Sequence, residues 1–159
     1  MPSQNENVGN QTPAASKPSD QAMPAKKKTI LIVDDDPIIL DLMEVILKKA
    51  GFQTVLARSG RSGIQKLNED ARIDMALVDI EMPEINGIQL VKMIRNQPAL
   101  DKIPIMMVTG KSTKEDVVLS FKAGAQDYIV KPVAKAVMLQ KICAQLKMDT
   151  HDLAPGAMD

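Results

Sequence analysis

The chain has no tryptophan, one tyrosine and two phenylalanines, so aromatic side chains are scarce and eleven methionines share the packing role. It has a single cysteine, Cys143, which excludes an internal disulfide and fits a reducing compartment, with the cytoplasm as the default location. Neither sign of charge is in excess: 20 basic residues balance 20 acidic ones. No electrostatic footprint for nucleic acid or anionic lipid follows, and nucleic acid is not expected among direct partners. No apolar run approaches the ~18 residues that a spanning helix requires, so membrane insertion is not expected. The N-terminus lacks a charged stretch followed by an apolar one and does not read as a secretory leader. No internal repeat is present.

What remains is an ordinary globular composition, 45% apolar and 25% charged over 159 residues, enough for one domain with a real core. Residues 1–27 place Pro2, Pro13, Pro18 and Pro24 among Ser, Asn, Gln and Ala. Such a stretch buries too little apolar surface to offset ordering entropy and is expected to be a disordered tail. Residues 149–159 lose their periodicity around Pro155-Gly156 and are expected to be a flexible tail. The folded part is then 28–148, entered through Lys26-Lys27-Lys28, a solvated lead-in to a buried strand.

Within it, strand-like and helix-like segments alternate. Thr29–Val33 is a continuous β-branched apolar run of the kind buried on both faces. Asp36 can cap a following helix with Pro37 at its first position, and Ile39, Leu42, Met43, Ile46 and Ala50 recur at helical spacing up to Gly51. Thr54–Ala57, Met75–Val78, Ile105–Val108 and Asp127–Val130 read as further strands. Helices are expected around Ser62–Asn68, after the Pro83…Gly87 loop, from a Ser112-Thr113-Lys114-Glu115 capping box to Gly124, and from Ala134 to Met148. Five βα units imply a parallel sheet covered on both faces with right-handed crossovers. In such a sheet ligands bind beyond the carboxyl ends of the strands.

The polar residues at those ends are Asp34, Asp35 and Asp36, then Asp79, Thr109 and Lys131. Carboxylates crowded at strand ends repel unless a proton or cation intervenes, which points to a hard divalent ion and phosphate chemistry. The acidic triplet, Asp79-Ile80-Glu81-Met82-Pro83 with Gly87, Thr109-Gly110 and Tyr128-Ile129-Val130-Lys131-Pro132 together resemble the motifs of bacterial two-component receiver domains. The resemblance covers about Lys28 to Lys147 and implies a doubly wound, flavodoxin-like (βα)5 fold with strand order 2-1-3-4-5. It implies Asp79 as phosphoacceptor, Mg²⁺ on Asp34, Asp35, Asp79 and the Glu81 backbone carbonyl, and Thr109 and Lys131 on the phosphoryl group. Thr109 and Tyr128 would be the switch residues, and the Lys131–Pro132 bond would be cis. Asp36 falls outside the acidic pair and reads as the helix cap.

As a receiver the chain would catalyse its own Mg²⁺-dependent phosphorylation and dephosphorylation without turning over an external substrate. Its expected partners are a sensor histidine kinase or histidine phosphotransfer protein and a downstream protein target, with a phosphorylation-dependent homodimer among its states. No output segment is recognised after Met148, so the expectation is a stand-alone, chemotaxis-regulator-like receiver. Val117, Val118, Leu119 and Phe121 span more of the fourth helix than one buried stripe, so a face formed with strand five and the last helix is expected to stay apolar and to switch partner binding. Glu81 and Lys111 are expected to pair across the site mouth. Two other readings use the same residues. A degenerate receiver would serve only for docking, which the full set Asp34, Asp35, Asp79, Thr109 and Lys131 disfavours. A haloacid-dehalogenase-like phosphatase would use the Asp-x-Asp at 34–36, but Pro37 and the lack of a later acidic pair disfavour it. Cys143 reads as core, and His151 carries no role.

Overall fold

A computed structural model describes residues 26–110 and 113–159. The expected disorder of 1–27 falls almost entirely outside them, as does Lys111 of the expected pair with Glu81. Five strands, β1 (Thr29–Val33), β2 (Gln53–Ala57), β3 (Ile73–Val78), β4 (Ile105–Thr109) and β5 (Asp127–Val130), alternate with α1 (Pro37–Lys49), α2 (Gly60–Glu69), α3 (Gly87–Arg95), α4 (Lys114–Ala123) and α5 (Lys135–Leu146). All strand pairs are parallel and the order is β2-β1-β3-β4-β5, as the receiver resemblance implies.

Period-two alternation divides the apolar side chains between two cores. Ile30, Ile32, Met75, Leu77, Met106, Val108 and Ile129 face α1 and α5, while Leu31, Val33, Ala76, Val78, Ile105 and Met107 face α2 and α3. Each large side chain so buried contributes roughly 1.5–3 kcal/mol. That is why β1 and β4 are apolar at nearly every position.

Helix starts follow side-chain chemistry. Asp36, Ser59 and Asn86 accept from backbone N–H groups in the first turns of α1, α2 and α3. The α4 cap lies one residue later than the expected box: Thr113 accepts from the Asp116 N–H. Helix α5 differs, because its N-cap is Ala134, which has no side-chain oxygen to offer. At the other end of α4, Gly124 adopts φ 119°, and Arg95 from α3 donates to its carbonyl through Nε and Nη2 (3.1 and 2.8 Å). The same guanidinium donates to Asp101 O and Gln126 Oε1.

Two expectations are corrected. In α1 the buried residues are Leu40, Met43 and Leu47, whereas Leu42 is 50% exposed. Ile39 and Ile46 flank the core, and the helix carries a second apolar row, Ile38, Leu42 and Val45, on the solvent side. A helix apolar on two faces has no unique stripe, so spacing alone chose wrongly. Nor does 149–159 fray. After α5, Thr150–Asp152 form a 3-10 turn capped by Asp149, Leu153 and Ala157 are buried in the α1/α5 core, and the Ala154 N–H donates to Ala50 O at 2.9 Å. Two apolar residues separated by Pro155-Gly156 suffice because the groove between α1 and α5 receives them. The His151 side chain points to solvent.

Leu40→Ala should lower unfolding stability by about 2–5 kcal/mol, whereas Leu42→Ala should change it by about 0.5 kcal/mol or less. Urea denaturation of both variants distinguishes the two faces of α1.

Candidate functional site

Asp34, Asp35, Asp79 and Lys131 sit on the first residue or two beyond a strand and Thr109 on the last residue of β4, one residue longer than expected, where parallel pairing fixes the backbone. The Asp79 N–H donates to Val33 O (2.9 Å), the Asp34 N–H to Ala57 O (3.1 Å) and the Lys131 N–H to Thr109 O (2.9 Å). The site is therefore an extension of the sheet ladder, with β1, β3, β4 and β5 each contributing one group or more. Asp34, Asp79 and Thr109 are buried, and Asp35 is exposed.

Asp34, Asp35 and Asp79 each present a carboxylate oxygen within 4.8 Å of the others. Lys131 reaches across from β5: its Nζ donates to Asp34 Oδ2 at 2.7 Å and lies 3.7 Å from Asp79 Oδ2. The other Asp34 oxygen accepts from the Asp36 N–H at 2.9 Å, while Asp36 itself caps α1 by accepting from the Ile38 N–H. The expected cap role of Asp36 is thus seen, and Asp34 and Asp35 stand apart from it beside Asp79. Three hard, anionic oxygen donors, one of them open to solvent, suit a small divalent cation that keeps several waters.

Burial raises the Asp79 pKa to about 6, reinforced by the neighbouring Asp34 charge and opposed by Lys131 and a Thr109 hydrogen bond. For Lys131 burial disfavours the ammonium, yet its hydrogen bond to Asp34 and the Asp79 charge raise its pKa overall. Tyr128 is partly buried against the α2/α3 core, and this burial raises its phenol pKa, helped by Asp116. The Glu81 side chain is exposed at the mouth.

Two glycines matter to this geometry. A Cβ on Gly87 would stand 2.1 Å from the Asp79 carbonyl oxygen, and one on Gly60 would stand 2.7 Å from Ile85 Cγ2 in the β3–α3 loop. The sequence showed Gly87 only as part of a motif, and Gly60 was not singled out. Nothing in one sequence distinguishes a glycine needed for close approach from a glycine in a loop. The Lys131–Pro132 bond is cis, as the resemblance implies.

Because Asp79 binds a proton more tightly folded than unfolded, its contribution is favourable below about pH 4 and is lost as pH rises through about 6. In chelator, Asp79→Asn should therefore be more stable than the parent at pH 8 by on the order of 1–2 kcal/mol, allowing for screening at the site mouth, with the gap closing below pH 4. Denaturation midpoints across that range measure it; a gap that widens toward acid would contradict this assignment. Gly87→Ala should be destabilising at every pH, since backbone must move to admit the methyl group.

A family model for the response regulator receiver domain matches residues 30–143. The DNA-binding response regulator MtrA of Mycolicibacterium smegmatis is 32% identical over 132 residues, covering 83% of this chain and 56% of the relative. The transcriptional regulatory protein CseB of Streptomyces coelicolor is 33% identical over 127 residues, covering 80% of this chain and 53% of the relative. The chain thus spans about half the length of these curated relatives. Among solved structures, a CheY-like receiver domain protein from Methanospirillum hungatei superposes with TM-score 0.72 at 35% identity, covering 77% of this chain and 95% of that one. Chemotaxis protein CheY4 of Vibrio cholerae gives TM-score 0.72 at 28% identity, covering 76% and 99%. The relatives correct one expectation. Balanced charge argued against nucleic acid as a partner, yet MtrA is by name a DNA-binding response regulator, matched over 56% of its own length. With the fold, the strand-end site and the family match in agreement, the chain belongs to the response regulator receiver domain family.

Proposed function

We propose that this receiver accepts a phosphoryl group from the phosphohistidine of a two-component histidine kinase or phosphotransfer protein on Asp79, and that acylation switches partner binding. The observation that carries it is Lys131 Nζ beside both Asp34 and Asp79, a cation held at the buried carboxylate that follows β3. The Asp79 carboxylate attacks phosphorus as the P–N bond breaks, giving an acyl phosphate. The Lys131 ammonium pairs with the incoming phosphoryl oxygens and Thr109 donates its hydroxyl to one of them. Asp34, Asp35, Asp79 and the Glu81 carbonyl would hold Mg²⁺, which when bound supplies the charge neutralisation this transfer requires. Below about pH 6 without the cation, Asp79 is increasingly protonated and a poorer nucleophile.

The output face is inferred to lie on α4, β5 and α5. Val118, Leu119, Phe121, Val130 and Val137 on these three elements are all at least 43% exposed. Tyr128, on β5 beside β4 and partly buried, would couple the site to this face. The names of the relatives support a transcriptional output, in place of the purely protein-directed one expected from sequence.

Incubation with acetyl phosphate and Mg²⁺ should label the wild type, whereas Asp79→Asn or added EDTA abolishes labelling and Lys131→Ala strongly reduces it. A wild type that never becomes labelled would leave only the docking reading, and label retained in Asp79→Asn would displace the nucleophile. Leu119→Ser should keep normal labelling but lose phosphorylation-dependent association.

A further inference from the structure

Four helices begin with a side chain accepting from a first-turn N–H; α5 begins at Ala134 without one. That start matters, because Lys131 lies only four residues before Lys135, the first residue of α5. What meets α5 there is the C-terminal segment. It turns at Thr150–Asp152, fastens to the end of α1 through Ala154 N–H to Ala50 O, and buries Leu153 and Ala157 between α1 and α5. Met158 packs against the same core, and Lys135 Nζ donates to the Asp159 backbone carbonyl. The segment thus runs along the α1/α5 groove from the bottom of the sheet toward its active edge.

We propose that residues 149–159 are a positioning strap for Lys131, bracing the uncapped first turn of α5 through Lys135. The strap touches no reacting atom. It fixes where α5 begins, and with it the four-residue loop whose first member is the site lysine. Coupling of this kind is reciprocal. A ligand that draws the strap from its groove loosens Lys131, and a phosphoryl group that pulls Lys131 forward loosens the strap. The C-terminal segment would then be a second route by which the state of Asp79 is read, on the side of the domain opposite α4. The reciprocal half rests on the phosphoacceptor reading above; the bracing half does not.

The test uses the full chain with Lys135→Ala, Lys135→Arg and Leu153→Ser. The first readout needs no phosphodonor: hydrogen exchange of the Lys131 amide, which donates to Thr109 O. Exchange should quicken about fivefold in Lys135→Ala and Leu153→Ser and return toward parental in Lys135→Arg. The second readout is labelling by acetyl phosphate with Mg²⁺, expected to slow about as much in the same two variants. The third is exchange across Leu153–Met158, expected to quicken on phosphorylation in the wild type and not in Asp79→Asn. Lys131 exchange unchanged in both Lys135→Ala and Leu153→Ser overturns the strap. Should Leu153→Ser not fold, Lys135→Ala, altered at a partly exposed side chain, decides alone. An amide effect in a chain that never labels would retain the brace and remove only the phosphoacceptor reading.

Discussion

The contact on which this domain depends is the ammonium of Lys131 against Asp34, with Asp79 just beyond. Two carboxylates within 4.8 Å repel by about 3–4 kcal/mol at an effective dielectric near 20, and here there are three. A fold that gathers them at its strand ends must supply a counter-charge of its own whenever none arrives from solvent. Lys131 supplies it from a strand two places along the sheet from Asp79 and three from Asp34. On the proposed reading, the same charge that stabilises the resting site would serve an incoming phosphoryl group by turning from one oxygen to another.

Everything around the contact serves to hold it in register. Parallel pairing aligns the ends of β1, β3, β4 and β5, so residues far apart in sequence share one edge. The two cores press the sheet from both faces and leave little freedom to slide. At the site itself the bracing becomes local and tight: the Asp36 N–H orients one Asp34 oxygen, and bare glycine at 87 lets the α3 start approach the Asp79 carbonyl. Rigidity beneath and polarity above is the usual arrangement of an open α/β sheet, where the loops act and the strands support them.

The sequence made much of this legible, for reasons that differ by residue. Strands β1 and β4 were readable because burial on both faces forces unbroken apolar runs, and Asp36 because Asp before Pro is a helix start. Asp34, Asp79, Thr109 and Lys131 could be grouped because each follows a strand. Their convergence required the strand order, which came with the family resemblance and not from pattern. Leu42 misled because α1 has apolar residues on both its faces. The strap was missed because Pro155-Gly156 separates Leu153 from Ala157, and only the groove that receives the pair gives it meaning. Nucleic acid was set aside on net charge, a property of the whole chain that carries no information about the individual surfaces on which partners bind.

The Arg95 cluster has a mechanical consequence. With its guanidinium on Gly124 O, Gln126 and the Asp101 carbonyl, it pins the C-terminal end of α4 to α3 and the start of β5. The opposite end, at Thr113, is held by its own cap, four residues beyond Thr109. Such a helix behaves as a lever with its fulcrum at Gly124. Ten residues make an arm of about 15 Å, so a tilt of about 10° moves the Thr113 end by about 2.5 Å while the pinned end hardly shifts. A displacement at the site edge would reach this surface as a tilt that diminishes toward the fulcrum, and Leu119, midway along the arm, would move about half as far as the tip.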